Sequence, residues 1–264
     1  MNPEKTSRRT FLKSAAAAGA VTLGGLTPST VLGANDRVSI ALIGCGGMGR
    51  GHLGNLLRNS AEDNIRVVSV CDVYQRRLNQ AQKMCSDAGY TAEPYLDYRK
   101  IIDRNDIDAV LVATPDHWHS KIAIDAMESG KHVYLEKPMT LTVEQAIEVR
   151  DTVRRTKKVL QVGPQYTSED QYWNANKIIS EGKVGKVTWA QGSYNRNVKG
   201  GAFNVWFKID ETAGPSMPGE DYIDWDMWLG YKWGLAPRIP WNPEHFFRFR
   251  KYFPYNGGVA TDLL

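Results

Sequence analysis

Val38-Ser39-Ile40-Ala41-Leu42-Ile43-Gly44-Cys45-Gly46-Gly47-Met48-Gly49 is the stretch from which the fold follows. Its first six residues form an almost unbroken apolar run, the pattern of a strand buried on both faces of a sheet. Three glycines follow as Gly44-x-Gly46-x-x-Gly49, and Leu53, Leu56 and Leu57 then recur at helical spacing. Strand, glycine turn and helix in that order make a dinucleotide-binding fingerprint in its required context. Gly44 permits the tight turn, Gly46 lets the backbone approach a pyrophosphate, and Gly49 lets helix and strand pack closely. Gly47 and Met48 lie in the same turn, where the positive helix N-terminus faces the phosphates.

Outward from this unit, Ile65–Cys71 reads as a second strand ending at Asp72, 28 residues after Gly44. An acid at that tip accepts hydrogen bonds from an adenosine ribose diol and repels a 2′-phosphate, so NAD is expected over NADP. The other reading of Asp72 is a helix cap. Arg76 and Arg77 are close enough to leave NADP open. The alternation continues. Leu78, Ala81, Cys85 and Ala88 share a helix face, Asp97 heads a short helix with Ile101 and Ile102, and Ala109–Ala113 is a strand. Ile122, Ala123, Ala126 and Met127 line a helix that stops at Gly130, and His132–Leu135 is a strand. Thr142 and Gln145 form a capping box, and Val159–Val162 closes the series. This is an α/β chain with a doubly wound parallel sheet over residues 35–163.

In such sheets ligands bind beyond the carboxyl ends of the strands. Three segments fall there: Thr114-Pro115-Asp116-His117-Trp118-His119, Glu136-Lys137-Pro138, and Gly163-Pro164-Gln165-Tyr166. His117 reads as a partly exposed loop residue. His117, His119 and Asp116 find no further ligand at metal-site spacing, so no metal is expected. Cys45 reads as a small packing residue in the turn.

Residues 1–34 form an address. Ser7-Arg8-Arg9-Thr10-Phe11-Leu12-Lys13 followed by a small apolar run is a twin-arginine export signal, with small residues before Asn35 for cleavage. It implies passage through the Tat machinery, folded, to the periplasm. The chain carries 33 Lys+Arg against 29 Asp+Glu, and the leader holds +3 of the total +4. The remainder shows no basic stripe for nucleic acid. Three cysteines imply no disulfide framework, and no run of about 18 apolar residues suggests a membrane span.

Together these residues resemble the Gfo/Idh/MocA family of oxidoreductases, which includes glucose–fructose oxidoreductase and inositol dehydrogenase. The likeness rests on Gly44-x-Gly46-x-x-Gly49, Thr114-Pro115 with His119, Glu136-Lys137-Pro138 and Gly257-Gly258-x-x-x-Asp262. The resemblance implies an NAD(H)-dependent enzyme that moves hydride to or from a secondary hydroxyl of a sugar, glycoside or cyclitol. It implies Lys137 and Asp262 as catalytic residues, with Lys137 beside the nicotinamide, and Glu136 on the nicotinamide ribose. Thr114, Pro115, Asp116, His119 and Gln165 are implied around the ribose and nicotinamide. It also implies a cis Lys137–Pro138 bond, and a homo-oligomer for the full-length protein. One exported branch of such proteins uses bound NAD for transient oxidation during glycoside cleavage. A non-catalytic sugar-binding relative is a third alternative.

Residues 164–264 are expected to begin an α+β substrate and oligomerisation domain with a mostly antiparallel open sheet. Trp173, Lys177 and Ile178 mark a helix ending at Gly182, and Val187–Tyr194 alternates like a strand. Seven of the eight tryptophans fall at or after Trp173. Their faces suit sugar stacking or core packing. Tyr166, Tyr194 and Arg248 are the candidates for substrate contact. The family's histidine four residues beyond the motif aspartate would lie past Leu264, so the chain reads as truncated, with catalysis by this piece in question.

Overall fold

The computed structural model describes residues 37–165, 167–193, 198–258 and 261–262. The leader, Tyr166 and Tyr194 lie outside them. Six parallel strands form one sheet: β1 (Val38–Ile43), β2 (Ile65–Cys71), β3 (Glu93–Tyr95), β4 (Ala109–Val112), β5 (His132–Glu136) and β6 (Leu160–Gly163). Their order is β3-β2-β1-β4-β5-β6, so the chain reverses direction across the sheet between β1 and β4. Ligand crevices form at that reversal. In register, Ile40 to Ile43 stand beside Ala109 to Val112.

Alternation along the strands sends side chains to two cores. On one face Ala41, Ile43, Val110, Val112, Val133 and Leu135 pack under α4 (Asp116–Glu128) and α5 (Val143–Thr156). On the other, Leu42, Val67, Val70 and Leu111 meet α1 (Gly47–Asn59) and α2 (Gln75–Asp87) through Leu53, Leu78, Ala81 and Cys85. The Thr142 capping box opens α5 as read. Asp97 accepts from the Arg99 amide at 3.0 Å, just ahead of α3 (Arg99–Ile102). Glu93-Pro94-Tyr95 was no strand in the sequence pattern. It is one of the two edge strands of the sheet, a position that tolerates a proline.

Two elements after β6 differ in outcome. The helix marked by Trp173 forms as α6 (Asp170–Ser180), with no buried residue. The strand expected from Val187 does not form over 187–193: these residues are unpaired and Trp189 is 77 % exposed. A strand needs a neighbour's backbone, and among the described residues none lies beside it. Beyond β6 the described residues hold short helices, among them α7 (Ala202–Trp206), α8 (Trp225–Leu229) and α9 (Pro243–Phe247), and two isolated bridges. The aromatics of this region build a third core. Trp225 stacks on Trp228 at 4.8 Å, and Ile223, Leu229, Phe246 and Tyr255 close around them.

Candidate active site

The glycine turn fixes one end of a cavity of about 450 Å³ at the strand C-termini. Gly44 has φ +97°, and a Cβ there would come within 2.6 Å of the Ala113 backbone. A Cβ on Gly49 would stand 1.8 Å from the Gly44 carbonyl oxygen. Gly46 and Gly47 have no neighbour within 4 Å on that side, and both line the cavity with Met48. No side chain caps α1, so its first-turn N–H groups remain for an anion.

Asp72 closes the turn. Its Oδ2 accepts from the Cys45 amide at 2.7 Å and its Oδ1 from the Tyr74 amide at 2.9 Å. It does not cap α2, whose N-cap is Tyr74. Asp72 lines the cavity, and each of its oxygens has capacity for a further hydrogen bond. Burial pushes its pKa up, against Arg77 and the two amides, which pull it down. The two neighbouring arginines part company. Arg76 is taken by Asp210 and Asp221. Arg77 lines the cavity, its guanidinium 5.2 Å from the Phe246 ring and 5.5 Å from Tyr74. Cys45 is fully buried, and its thiol donates to the Cys71 carbonyl at 3.4 Å.

The three strand-end segments converge on the same space. Thr114, Pro115, Asp116, Glu136, Lys137 and Gln165 line the cavity. The Thr114 Oγ1 is buried without a hydrogen-bond partner, a hydroxyl that a ligand would satisfy. Lys137, in a cis peptide with Pro138, places its Nζ 3.0 Å from Asp262 Oδ1 and also donates to the Asp262 carbonyl. Glu136 is 4 % exposed and holds His52 Nε2 at 2.6 Å from its Oε1. Asp116 Oδ2 accepts from Asn256 Nδ2 at 2.7 Å. Burial pushes Asp116 up to about 7; Arg250 opposes this and Asp262 adds to it.

Three sequence expectations need correction. His119 does not face the cavity. It is 1 % exposed, with its ring nitrogens 2.6 Å from the Pro138 carbonyl and 2.9 Å from the Thr114 carbonyl, so it ties two strand-end loops together from behind. His117 is a fully buried helix residue, not an exposed loop residue. Its Nε2 donates to the Trp228 carbonyl at 2.9 Å, and burial lowers its pKa to about 4. Arg248 turns away, ion-paired with Glu244 and donating to the Phe207 carbonyl. Two residues on, in a single 3₁₀ turn over Phe249–Lys251, Arg250 lines the cavity instead, 3.5 Å from Asp262 and against Phe249 and Phe207. Arg250, Asn256 and His52 were missed. Arg250 stands in the same aromatic and basic stretch, His245–Phe253, that offered Arg248, and His52 lies three residues beyond the last fingerprint glycine.

A doubly wound sheet with an uncapped glycine turn, an acid just beyond β2 and an unpartnered hydroxyl just beyond β4 defines a dinucleotide-binding domain. Residues 38–164 match the model of an oxidoreductase family with an NAD-binding Rossmann fold, Gfo/Idh/MocA. This part of the chain belongs to that family. Residues 5–25 match the twin-arginine translocation signal sequence, which addresses the protein to the periplasm. Among the described residues no helix is long and apolar enough to cross a membrane.

The chain is 31% identical over 215 residues to an α-N-acetylgalactosaminidase of Shewanella oneidensis, covering 71% of this chain and 45% of that protein. A glycosyl hydrolase family 109 protein of Shewanella sp. strain ANA-3 is 30% identical over the same span. The chain thus spans about half the length of the curated relatives it matches. Among solved structures it resembles myo-inositol 2-dehydrogenase from Lactobacillus plantarum, with TM-score 0.52, 27% identity, and coverage of 57% of this chain and 43% of that one. It also resembles scyllo-inositol dehydrogenase from Lactobacillus casei with bound NAD(H) and scyllo-inositol, with TM-score 0.52, 25% identity, and coverage of 58% and 43%.

Proposed function

We propose that this chain carries the cofactor-binding half, and the first catalytic groups, of an exported NAD(H)-dependent oxidoreductase. Its substrate is a secondary hydroxyl of a sugar, glycoside or cyclitol. The observation that carries this is the Lys137–Asp262 pair, standing in the same cavity as the uncapped glycine turn. NAD⁺, when bound, supplies the hydride acceptor. The first turn of α1 and Gly46 hold the phosphates, Asp72 the adenosine ribose, and Thr114 and Glu136 the far end. Lys137 Nζ would hydrogen-bond the substrate hydroxyl, and the Asp262 carboxylate, which orients Nζ, would be the group beside it able to accept the proton passed on through Lys137. Free NAD is scarce outside the cytoplasm, so the cofactor is held tightly and recycled between two substrates. The bound NAD(H) and inositol of the Lactobacillus casei structure support this reading.

Native mass spectrometry on the exported protein tests it, with stoichiometric NAD(H) expected. Cofactor-free protein from cells that export it correctly would sink the tightly bound cofactor. A second reading, glycoside cleavage through transient oxidation, draws on the relative described as an α-N-acetylgalactosaminidase. Release of a chromogenic aglycone with no net change in NADH absorbance would establish it over the first.

A further inference from the structure

We propose that His52 is the positioning residue that aims the Glu136 carboxylate into the cofactor cavity, and so couples the two ends of that site. The inference rests on the NAD reading above. His52 lies in the second turn of α1, the helix whose first turn borders the glycine fingerprint. Glu136 ends β5, and β4 stands between β5 and β1 in the sheet. The contact of 2.6 Å between His52 Nε2 and Glu136 Oε1 therefore bridges a whole strand, joining the phosphate end of the site to the end where Lys137 stands.

Geometry fixes both partners. The His52 ring packs edge-on against Tyr134, with centroids 5.4 Å apart at 64°. Tyr134 is itself held: its hydroxyl fills the space beside Gly163, where a Cβ would come within 2.2 Å of it. The imidazole thus points at Glu136 by packing as well as by hydrogen bonding. The other Glu136 oxygen accepts from the Lys137 amide at 3.1 Å. Without His52, that amide of the next residue along the chain would be the one remaining donor among the described residues to a carboxylate that is 4 % exposed. A carboxylate so placed is free to rotate away from a ligand hydroxyl, and a charge-assisted hydrogen bond that orients it is worth about tenfold in affinity. Nothing in this requires His52 to touch the ligand. It lines a separate groove of about 380 Å³ with Asn55, Leu56 and Leu111, outside the cofactor cavity.

The test is NADH affinity, read by energy transfer from the cavity tryptophans, for the wild-type chain, H52L, H52Q, E136A and H52L/E136A. Melting curves of each protein without ligand control for folding. H52L is expected to weaken NADH binding about tenfold. H52Q, which keeps an N–H donor, recovers most of that loss, and H52L adds nothing once E136A is present. If H52L does not fold, H52N, polar but too short to reach Oε1, takes its place. Unchanged affinity in H52L, or a loss that persists in full in the E136A background, overturns the role of His52 alone. Wild-type protein that does not bind NADH overturns the NAD reading and this inference with it.

Discussion

Alanine at Gly49 and alanine at Gly46 have opposite consequences, although only two residues separate them. At Gly49 the new Cβ meets the Gly44 carbonyl oxygen at 1.8 Å and Leu42 Cδ1 at 3.5 Å. Contacts under 3.0 Å are not tolerated, so α1 and the turn must separate by about 1.2 Å, the difference between 3.0 and 1.8 Å. Overpacking against backbone falls at the upper end of its usual cost, about 3 kcal/mol. Reduced freedom of the unfolded chain returns about 0.4–1 kcal/mol. The net loss of about 2 kcal/mol lowers the melting temperature by about 4–8 °C for a domain of this size. At Gly46, φ is −65° and no atom lies within 4 Å of the new methyl, so the protein without ligand is as stable as before or slightly more so. That methyl occupies the space through which the pyrophosphate approaches, and NADH affinity falls at least about tenfold, or ~1.4 kcal/mol. Scanning calorimetry and NADH titration on both variants separate the two effects. A Gly49→Ala protein that melts with the wild type, or a Gly46→Ala protein that binds NADH normally, would refute the assignment of packing to one glycine and ligand approach to the other.

Three further outcomes are expected. Asp72→Asn keeps one acceptor for the Cys45 and Tyr74 amides, sets its NH2 against the other, and removes the charge that repels a 2′-phosphate, so the NADP:NAD affinity ratio rises about tenfold or more, with Arg77 lining the same cavity. Equal ratios in competition titrations would show that Asp72 does not face the ribose. Asp116 has its folded pKa raised to about 7 from an ordinary 3.8, so the stability it contributes is present below about pH 4 and is lost as pH rises to about 7. Asp116→Asn should flatten that decline, as read from guanidinium midpoints at pH 4, 5.5 and 8; parallel curves would contradict the burial argument. Lys137→Met should cut turnover at least about 100-fold while leaving NADH affinity within a few fold, and near-normal turnover in stopped-flow hydride transfer would remove Lys137 from the proton path.

Periodicity and glycine sterics act over a few residues, and this is why so much of the Rossmann half could be read directly. The run from Val38 to Ile43, the three fingerprint glycines and the Thr142 capping box each depend on neighbours within a turn or a strand. They specified the strands, the parallel sheet and the position of Asp72. Three-residue β3 with its proline carried too little pattern to be seen, and 187–193 carried a strand pattern without a partner to satisfy it. The contacts that complete the site are of another kind. Lys137 meets Asp262 across 125 residues, Asp116 meets Asn256 across 140, and His52 meets Glu136 across 84. Local propensity says nothing about such pairs: the order of strands in the sheet brings His52 to Glu136, and the packing of the segment beyond β6 against the strand ends brings Asn256 and Asp262 to theirs. For the same reason tertiary packing alone turned His119 behind the cavity wall, buried His117, and set Arg250 rather than Arg248 beside Asp262.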